Sequence, residues 1–122
     1  YRSGTWTHPT DLTDTISTSG GDAEFPRVAM DDNGNTVLVW HQADGVSNQI
    51  FMSEYREDTW THPTDLSDSI SPAGTDAEYV LVTLSDHGNA AVAWHQFEGS
   101  QNAILKSEYH DGPWPHPANL TE

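Results

Sequence analysis

The sequence predicts an all-β protein built from repeated units of four short antiparallel strands, and three observations carry that prediction. The first is repetition: Tyr1–Glu54 lies over Tyr55–Glu108 without a gap, with about 29 identical positions, and a third copy starts at Tyr109 and stops at Glu122. A fixed period has to be settled before any local reading. The second is the alternation of short apolar runs with Asn/Asp/Gly turns. The third is the phrase Trp-x-His-Pro, which recurs at Trp6–Pro9, Trp60–Pro63 and Trp114–Pro117. Proline lacks a ladder donor, so a strand that tolerates it lies at a sheet edge.

The elements follow in order within each repeat. Phe25–Met30 alternates around Val28 and leads into "DDNGN", where Gly34 supplies the positive φ of a hairpin turn. Pro26 in one copy and Val80 in the other give this first strand a free edge. Thr36–Trp40, "TVLVW", is matched by "AAVAW" at Ala90–Trp94, and continuous apolar runs of this kind suit a strand buried on both faces. Val37, Val39, Trp40, Val92 and Trp94 are therefore the expected core. After the loop "ADGVSN", Gln49–Arg56 carries bulk on both faces as the third strand, and a short turn at Glu57–Asp58 leads to the fourth, Thr59–Leu66, "TWTHPTDL". The same phrase stands at Thr5–Leu12, and a worn copy, "PWPHPANL", at Pro113–Leu120.

Four antiparallel strands with proline on the outer ones and bulk on both faces describe a sheet stacked between neighbours, which is a β-propeller blade. A period of 54 residues lies at the long end of propeller repeats. The predicted organisation is a single repeat domain, 1–122, with an extra outer strand in 1–14, one blade in 22–68 and a second in 76–122. A β-sandwich of two four-stranded halves is the alternative.

The pattern "GTW…P…L", then "DAE.P.V", then "D.NGN…VW.Q.DG", then "I..SEY" resembles the tryptophan-containing repeats of bacterial extracellular β-propellers, over essentially the whole chain. The resemblance implies a scaffold and an extracellular or secreted location. It implies no reaction, because such repeats serve binding proteins and adapters alike.

Two blades cannot close a ring, and each leaves an apolar face open. The missing blades come either from identical chains, a trimer of six blades first and a tetramer of eight second, or from the rest of a longer polypeptide. Small two-bladed lectins that assemble as trimeric six-bladed propellers are an analogy for the first. The strand at Thr5–Leu12 is surplus, and it either completes a blade across a chain boundary or belongs to a longer array. The chain opens on Tyr1 without Met, which reads as a processed form or an excised segment.

Nineteen acidic side chains against four basic ones give a net charge of −15. Such a surface repels phosphate backbones and anionic lipid, so nucleic acid is not an expected partner. No run approaches the roughly 18 apolar residues of a membrane span, and no membrane insertion is expected. The acidity reads as a solvated face, with cation binding as its alternative. With no cysteine, disulfide and thiolate chemistry are excluded.

Five of the seven histidines occupy repeated positions, His8, His62 and His116 in the fourth strand and His41 and His95 at the end of the second. Stacked sheets lie about 10 Å apart, too far for equivalent residues to share a zinc ion at bonds of about 2 Å. No metal is expected. "DDNGN" resembles a calcium loop only faintly, since the further ligands of that motif are missing and a hairpin turn accounts for it. There is no Asp-box spacing, GxSxG elbow, Walker loop or HExxH, and the carboxylate pair Asp22 and Glu24 recurs in each repeat, whereas catalytic pairs are singular. An enzyme is not expected, nor is a cofactor.

Topology nominates one surface. The loop after the second strand, with Trp40, His41, Gln42 and Asp44, lies near the connection carrying Asp22 and Glu24, and the second copy supplies Trp94, His95, Gln96, Glu98, Asp76 and Glu78. Planar hydrogen-bonding groups beside an indole suit carbohydrate, whose hydroxyls and apolar ring faces they match. The alternative for the same residues is interblade packing by the tryptophans and loop bracing by Gln and Asp. The expected function is a non-catalytic, lectin-like propeller module that self-assembles, and the alternative is a purely structural assembly module.

Overall fold

The computed structural model describes residues 4–121; residues 1–3, where the expected extra strand begins, and Glu122 lie outside the described residues. Turn chemistry sets the path. Asp31 accepts from the Asn35 amide (2.8 Å) and from Asn35 Nδ2 (2.7 Å), and Gly34 takes φ +85°, which closes a hairpin between β1 (Ala23–Met30) and β2 (Thr36–Ala43). β2 then pairs antiparallel with β3 (Asn48–Arg56), in register from Thr36 opposite Tyr55 to Ala43 opposite Asn48. Glu57 and Asp58 both adopt positive φ, +49° and +60°. This is the type I′ condition, whose twist matches the flanking strands. The turn returns β4 (Thr59–Thr61) onto β3. The second repeat gives β5 (Ala77–Leu84), β6 (Ala90–Phe97) and β7 (Asn102–Tyr109). The described residues contain no helix.

The protein is thus all-β, with two antiparallel sheets ordered β1-β2-β3-β4 and β5-β6-β7. Two sequence expectations need correction. The fourth strand of the first sheet is an edge strand, but it spans three residues and not Thr59–Leu66, because beyond Thr61 the chain leaves the ladder and turns at Asp65–Asp68, where the Asp68 amide donates to the Asp65 carbonyl at 3.2 Å. There the Thr64 amide and hydroxyl both donate to Asp68 Oδ2 at 2.7 Å, bonds that hold the Asp68 carboxyl below the usual carboxylate range. The second sheet has three strands and not four. A two-residue hairpin makes its flanking pair, Arg56 and Thr59, a hydrogen-bonded one, and Glu54 with Thr61 the next. The donors are therefore the amides of Thr59 and Thr61. Pro113 and Pro115 stand at those positions in the third copy and remove both donors. Thr5–Leu12, although identical in sequence to Thr59–Leu66, adds no strand to either sheet among the described residues, and the expected outer strand of 1–14 begins in residues 1–3, outside them.

The repeated Trp-x-His-Pro phrase is a side-chain clamp on the preceding strand. Trp60 packs on Tyr55 (centroids 5.5 Å apart) and stacks on His62 (5.5 Å), whose Nδ1 meets the buried Ser53 hydroxyl at 2.9 Å. Trp114 repeats this on Tyr109 (5.4 Å) and His116 (5.9 Å), with His116 Nδ1 on Ser107 Oγ at 2.7 Å. The motifs "SEY" and "WxHP" are thus two halves of one contact. Burial at this clamp lowers the pKa of His116, against an opposing pull from Glu54.

The sheets stack with different faces inward. Antiparallel partners share a face, so Val37, Val39 and Ile50 lie on one side of the first sheet, and Leu38, Trp40 and Phe51 on the other. The main core joins Val37, Val39 and Ile50 to Val80, Val92, Trp94 and Leu105. By the repeat, Val92, Trp94 and Leu105 are the counterparts of Leu38, Trp40 and Phe51. Hence one sheet presents its Val37 face and the other its Trp94 face. All five residues of the expected core are buried. Each large side chain removed from water there contributes about 1.5–3 kcal/mol.

Candidate functional site: a rim cleft between the sheets

The expected ligand residues divide into a buried set and a rim set. Trp40 and Trp94 are buried, and their indole N–H groups donate to Gln42 Oε1 (3.1 Å) and Gln96 Oε1 (3.2 Å). Gln42 Nε2 donates in turn to the Thr18 (2.7 Å) and Gly21 (3.1 Å) carbonyls, and Gln96 Nε2 to those of Pro72 and Thr75. These four side chains pin the entry loop of each repeat over its own tryptophan, with their hydrogen bonds spent inside the protein.

Turn duty takes several of the carboxylates. Asp44 Oδ1 accepts from the Val46 (2.8 Å) and Ser47 (2.9 Å) amides, and Glu98 accepts from the Ser100 hydroxyl at 3.4 Å. Asp22 accepts the Ala43 amide through its carbonyl at 3.2 Å. Asp76 crosses between the sheets, its Oδ1 taking the Asn48 amide at 2.8 Å.

The remaining residues converge at the rim. β1 and β5 each carry a bulge, between Glu24 and Arg27 and between Glu78 and Leu81. At each bulge an aromatic residue holds positive φ, Phe25 at +53° and Tyr79 at +54°. A bulky residue in that region is strained, by about 1–3 kcal/mol. The bend carries each ring outward onto the repeat's own histidine: Phe25 lies 5.2 Å from His41, and Tyr79 lies 4.9 Å from His95, edge-on. Each histidine faces the glutamate before the bulge, His41 Nε2 to Glu24 at 3.4 Å and His95 Nε2 to Glu78 at 3.7 Å. The rings stay largely open to solvent, Phe25 59 % and Tyr79 73 % exposed.

Both motifs border one cleft. A cavity of about 130 Å³ is lined by Glu24, Phe25, Arg27 and His41 from the first sheet and by Glu78, Tyr79 and Val80 from the second. Asn48 spans it, with Nδ2 donating to Glu78 Oε1 at 2.8 Å. Cavities of about 150 Å³ take a single six-membered ring. Two aromatic faces, two carboxylates, an amide and a guanidinium offer apolar contact together with planar donors and acceptors. Among the described residues no cluster of three or more His, Asp or Glu is set to hold a metal ion.

Of the expected site residues, the structure gathers Glu24, His41 and Glu78 at this cleft, keeps His95 beside Glu78, and sets Trp40, Gln42, Trp94 and Gln96 apart in the interior. Phe25, Arg27, Asn48 and Tyr79 are additions. Their signal was present as an aromatic residue after "DAE" in both repeats and as Asn at equivalent positions 48 and 102. Compared with protein-family models, curated proteins and solved structures, the chain matches none.

Proposed function

We propose that the chain is a non-catalytic pair of propeller blades that joins further copies head to tail into a closed ring, and that the rim clefts between sheets bind carbohydrate. The observation that carries the reading is an exchange of burial between repeats. Ile70 is 5 % exposed and its counterpart Ile16 39 %; Ile50 is fully buried and its counterpart Ile104 77 % exposed. Each end of the stack thus displays the residue types that the internal junction hides. Two-fold sandwiches bury like faces, whereas this junction joins unlike ones, the heterologous contact that generates rings. A blade step of about 60° closes a trimer, and a smaller step a tetramer.

Carbohydrate is the ligand class for the rim because exposed aromatic faces beside carboxylates and an amide match both sides of a sugar ring. A purely structural role is the competing reading, favoured by the internal hydrogen bonding of Trp40, Gln42, Trp94 and Gln96. The test has two arms. Light scattering reads the mass, and a trimer or tetramer that Ile104→Asp converts to a 13.5 kDa folded monomer is the expected result. A wild-type monomer rejects assembly. A glycan array probed with wild type and Tyr79→Gly reads the ligand. Glycine accepts the positive φ, so lost binding with retained folding is expected. A silent array beside a defined oligomer selects the structural role.

A further inference from the structure

The three Trp-x-His-Pro phrases end in one and the same turn. In the first, Asp11 Oδ1 accepts from the Thr13 amide (2.8 Å) and hydroxyl (2.6 Å), and in the second, Asp65 Oδ1 accepts from the Ser67 amide (2.7 Å) and hydroxyl (2.5 Å). In the third, Asn119 Oδ1 accepts from the Thr121 amide (2.9 Å) and hydroxyl (2.5 Å). Aspartate and asparagine serve such a turn equally, so the geometry is kept while the chemistry changes. A carboxylate has only acceptors, whereas the carboxamide brings an NH2 group. Both bonds at Asn119 fall on Oδ1, and Nδ2 has no partner among the described residues.

The same exchange writes Asn119-Leu120-Thr121, the Asn-x-Thr acceptor of asparagine-linked glycosylation. No other asparagine of the chain has serine or threonine two residues on. A three-residue motif is common by chance, and its surroundings decide whether a transferase reaches it. Asn119 and Thr121 are both exposed, while Leu120 between them is half-buried and packs against the core. Upstream, Trp114 on Tyr109 (5.4 Å) and His116 on Ser107 (2.7 Å) fasten the phrase to β7. The turn is therefore held to the body of the protein with its amide and its hydroxyl in solvent.

We propose that Asn119 is a glycosylation site, which takes a sugar on Nδ2 from a glycosyl diphosphate donor through a transferase that reads the Thr121 hydroxyl. In the transfer Nδ2 forms a bond to the anomeric carbon of the donor, and the bond from that carbon to the diphosphate oxygen breaks. The diphosphate leaves with the electron pair, and one Nδ2 proton passes to a base of the transferase. Nothing is oxidised or reduced. Asp11 and Asp65 stand in the same turn but have no N–H to lose, so they are not acceptors. Thr121 is a positioning residue, and the site depends neither on the rim cleft nor on assembly.

The test starts from the protein purified from the cells that make it. Trypsin cuts after Lys106, and the peptide that begins at Ser107 is read by mass spectrometry, with fragmentation that leaves side-chain modifications in place. A hexose or hexosamine mass assigned to Asn119 is the expected result, and a bare Asn119 amide throughout overturns the proposal. Variants made in the same cells separate glycosylation from turn-making. Asn119→Asp restores the residue of the other two copies and should abolish the modification while the fold is retained. Thr121→Ser keeps the hydroxyl, as Ser67 does in the second copy, and should stay modified, whereas Thr121→Val should lose the sugar. Equal occupancy in Thr121→Ser and Thr121→Val overturns the part given to the hydroxyl. Asp11→Asn writes the same motif on the first turn and should add a second sugar there. A single sugar in that variant overturns the claim that the shared turn presents the acceptor.

Discussion

Ile50 and Ile104 are the same residue at the same place in two copies of one repeat, yet Ile50 is fully buried and Ile104 is 77 % exposed. Along β2 both faces are buried at most positions, while β6 alternates between buried and half-buried. The strands share their length and pairing register. What differs is the neighbour. The second sheet covers the Val37 face of the first, and on the outward Trp40 face the repeat's own entry loop, through Thr18, lies over β2 without a second sheet beyond it. β6 has its enclosure on the Trp94 side alone. Burial in a repeat protein is a property of the junction, and each repeat owns half of one.

The comparison breaks first at the isoleucines. Ile50→Ala should cost about 2–5 kcal/mol, as for a buried large-to-small change, and Ile104→Ala should stay within about 0.5 kcal/mol in the monomer. Urea unfolding of the two variants measures both, and equal losses would remove the asymmetry on which the stacking reading stands.

The tryptophan–glutamine braces give a smaller effect and a sharper symmetry. Gln96→Leu leaves the Trp94 indole N–H and the Pro72 and Thr75 carbonyls without their partner, a cost of about 1–3 kcal/mol. Gln42→Leu does the same to Trp40, Thr18 and Gly21. Hydrogen exchange should report loosening confined to 69–76 in the first variant and 15–22 in the second. Loosening of both loops by either variant would mean that the braces are not local to their repeats.

The smallest expected effect is one of pH. Burial lowers the His116 pKa beneath its ordinary 6.5, so the folded state prefers the neutral imidazole. Between that ordinary value and the lower folded one, the unfolded chain binds more protons, and stability rises with pH. The clamp on Ser107 is therefore complete above about pH 6.5 and weakens as pH falls through the folded value. The indole N–H resonance of Trp114, which donates to Glu54 at 3.1 Å, should shift with that titration. A Trp114 signal that does not move on acidification would detach His116 from the clamp.

Much of the β1–β3 and β5–β7 framework was legible because it is local. Asx-Gly turns fix positive φ where the chain reverses, and apolar alternation selects which residues leave water; both are written within a few positions. The repeat of 54 residues also made the buried tryptophans readable, since one identification served twice. The fourth strands were less legible. Thr5–Leu12 and Thr59–Leu66 have one sequence, yet among the described residues only Thr59–Thr61 adds a strand to a sheet, where the I′ turn at Glu57–Asp58 brings it against β3. Pro113 and Pro115 were visible, but their weight depended on knowing which amides donate, and that follows from the pairing register. The rim cleft was legible in part, through Glu24, His41 and Glu78. Phe25 and Tyr79 joined it only when the bulges turned their rings outward. Which face of each sheet meets the other was likewise a tertiary decision. The repeat supplies the same two apolar faces to both sheets, and only the rigid stacking of one on the other selects which is closed and which stays open to water.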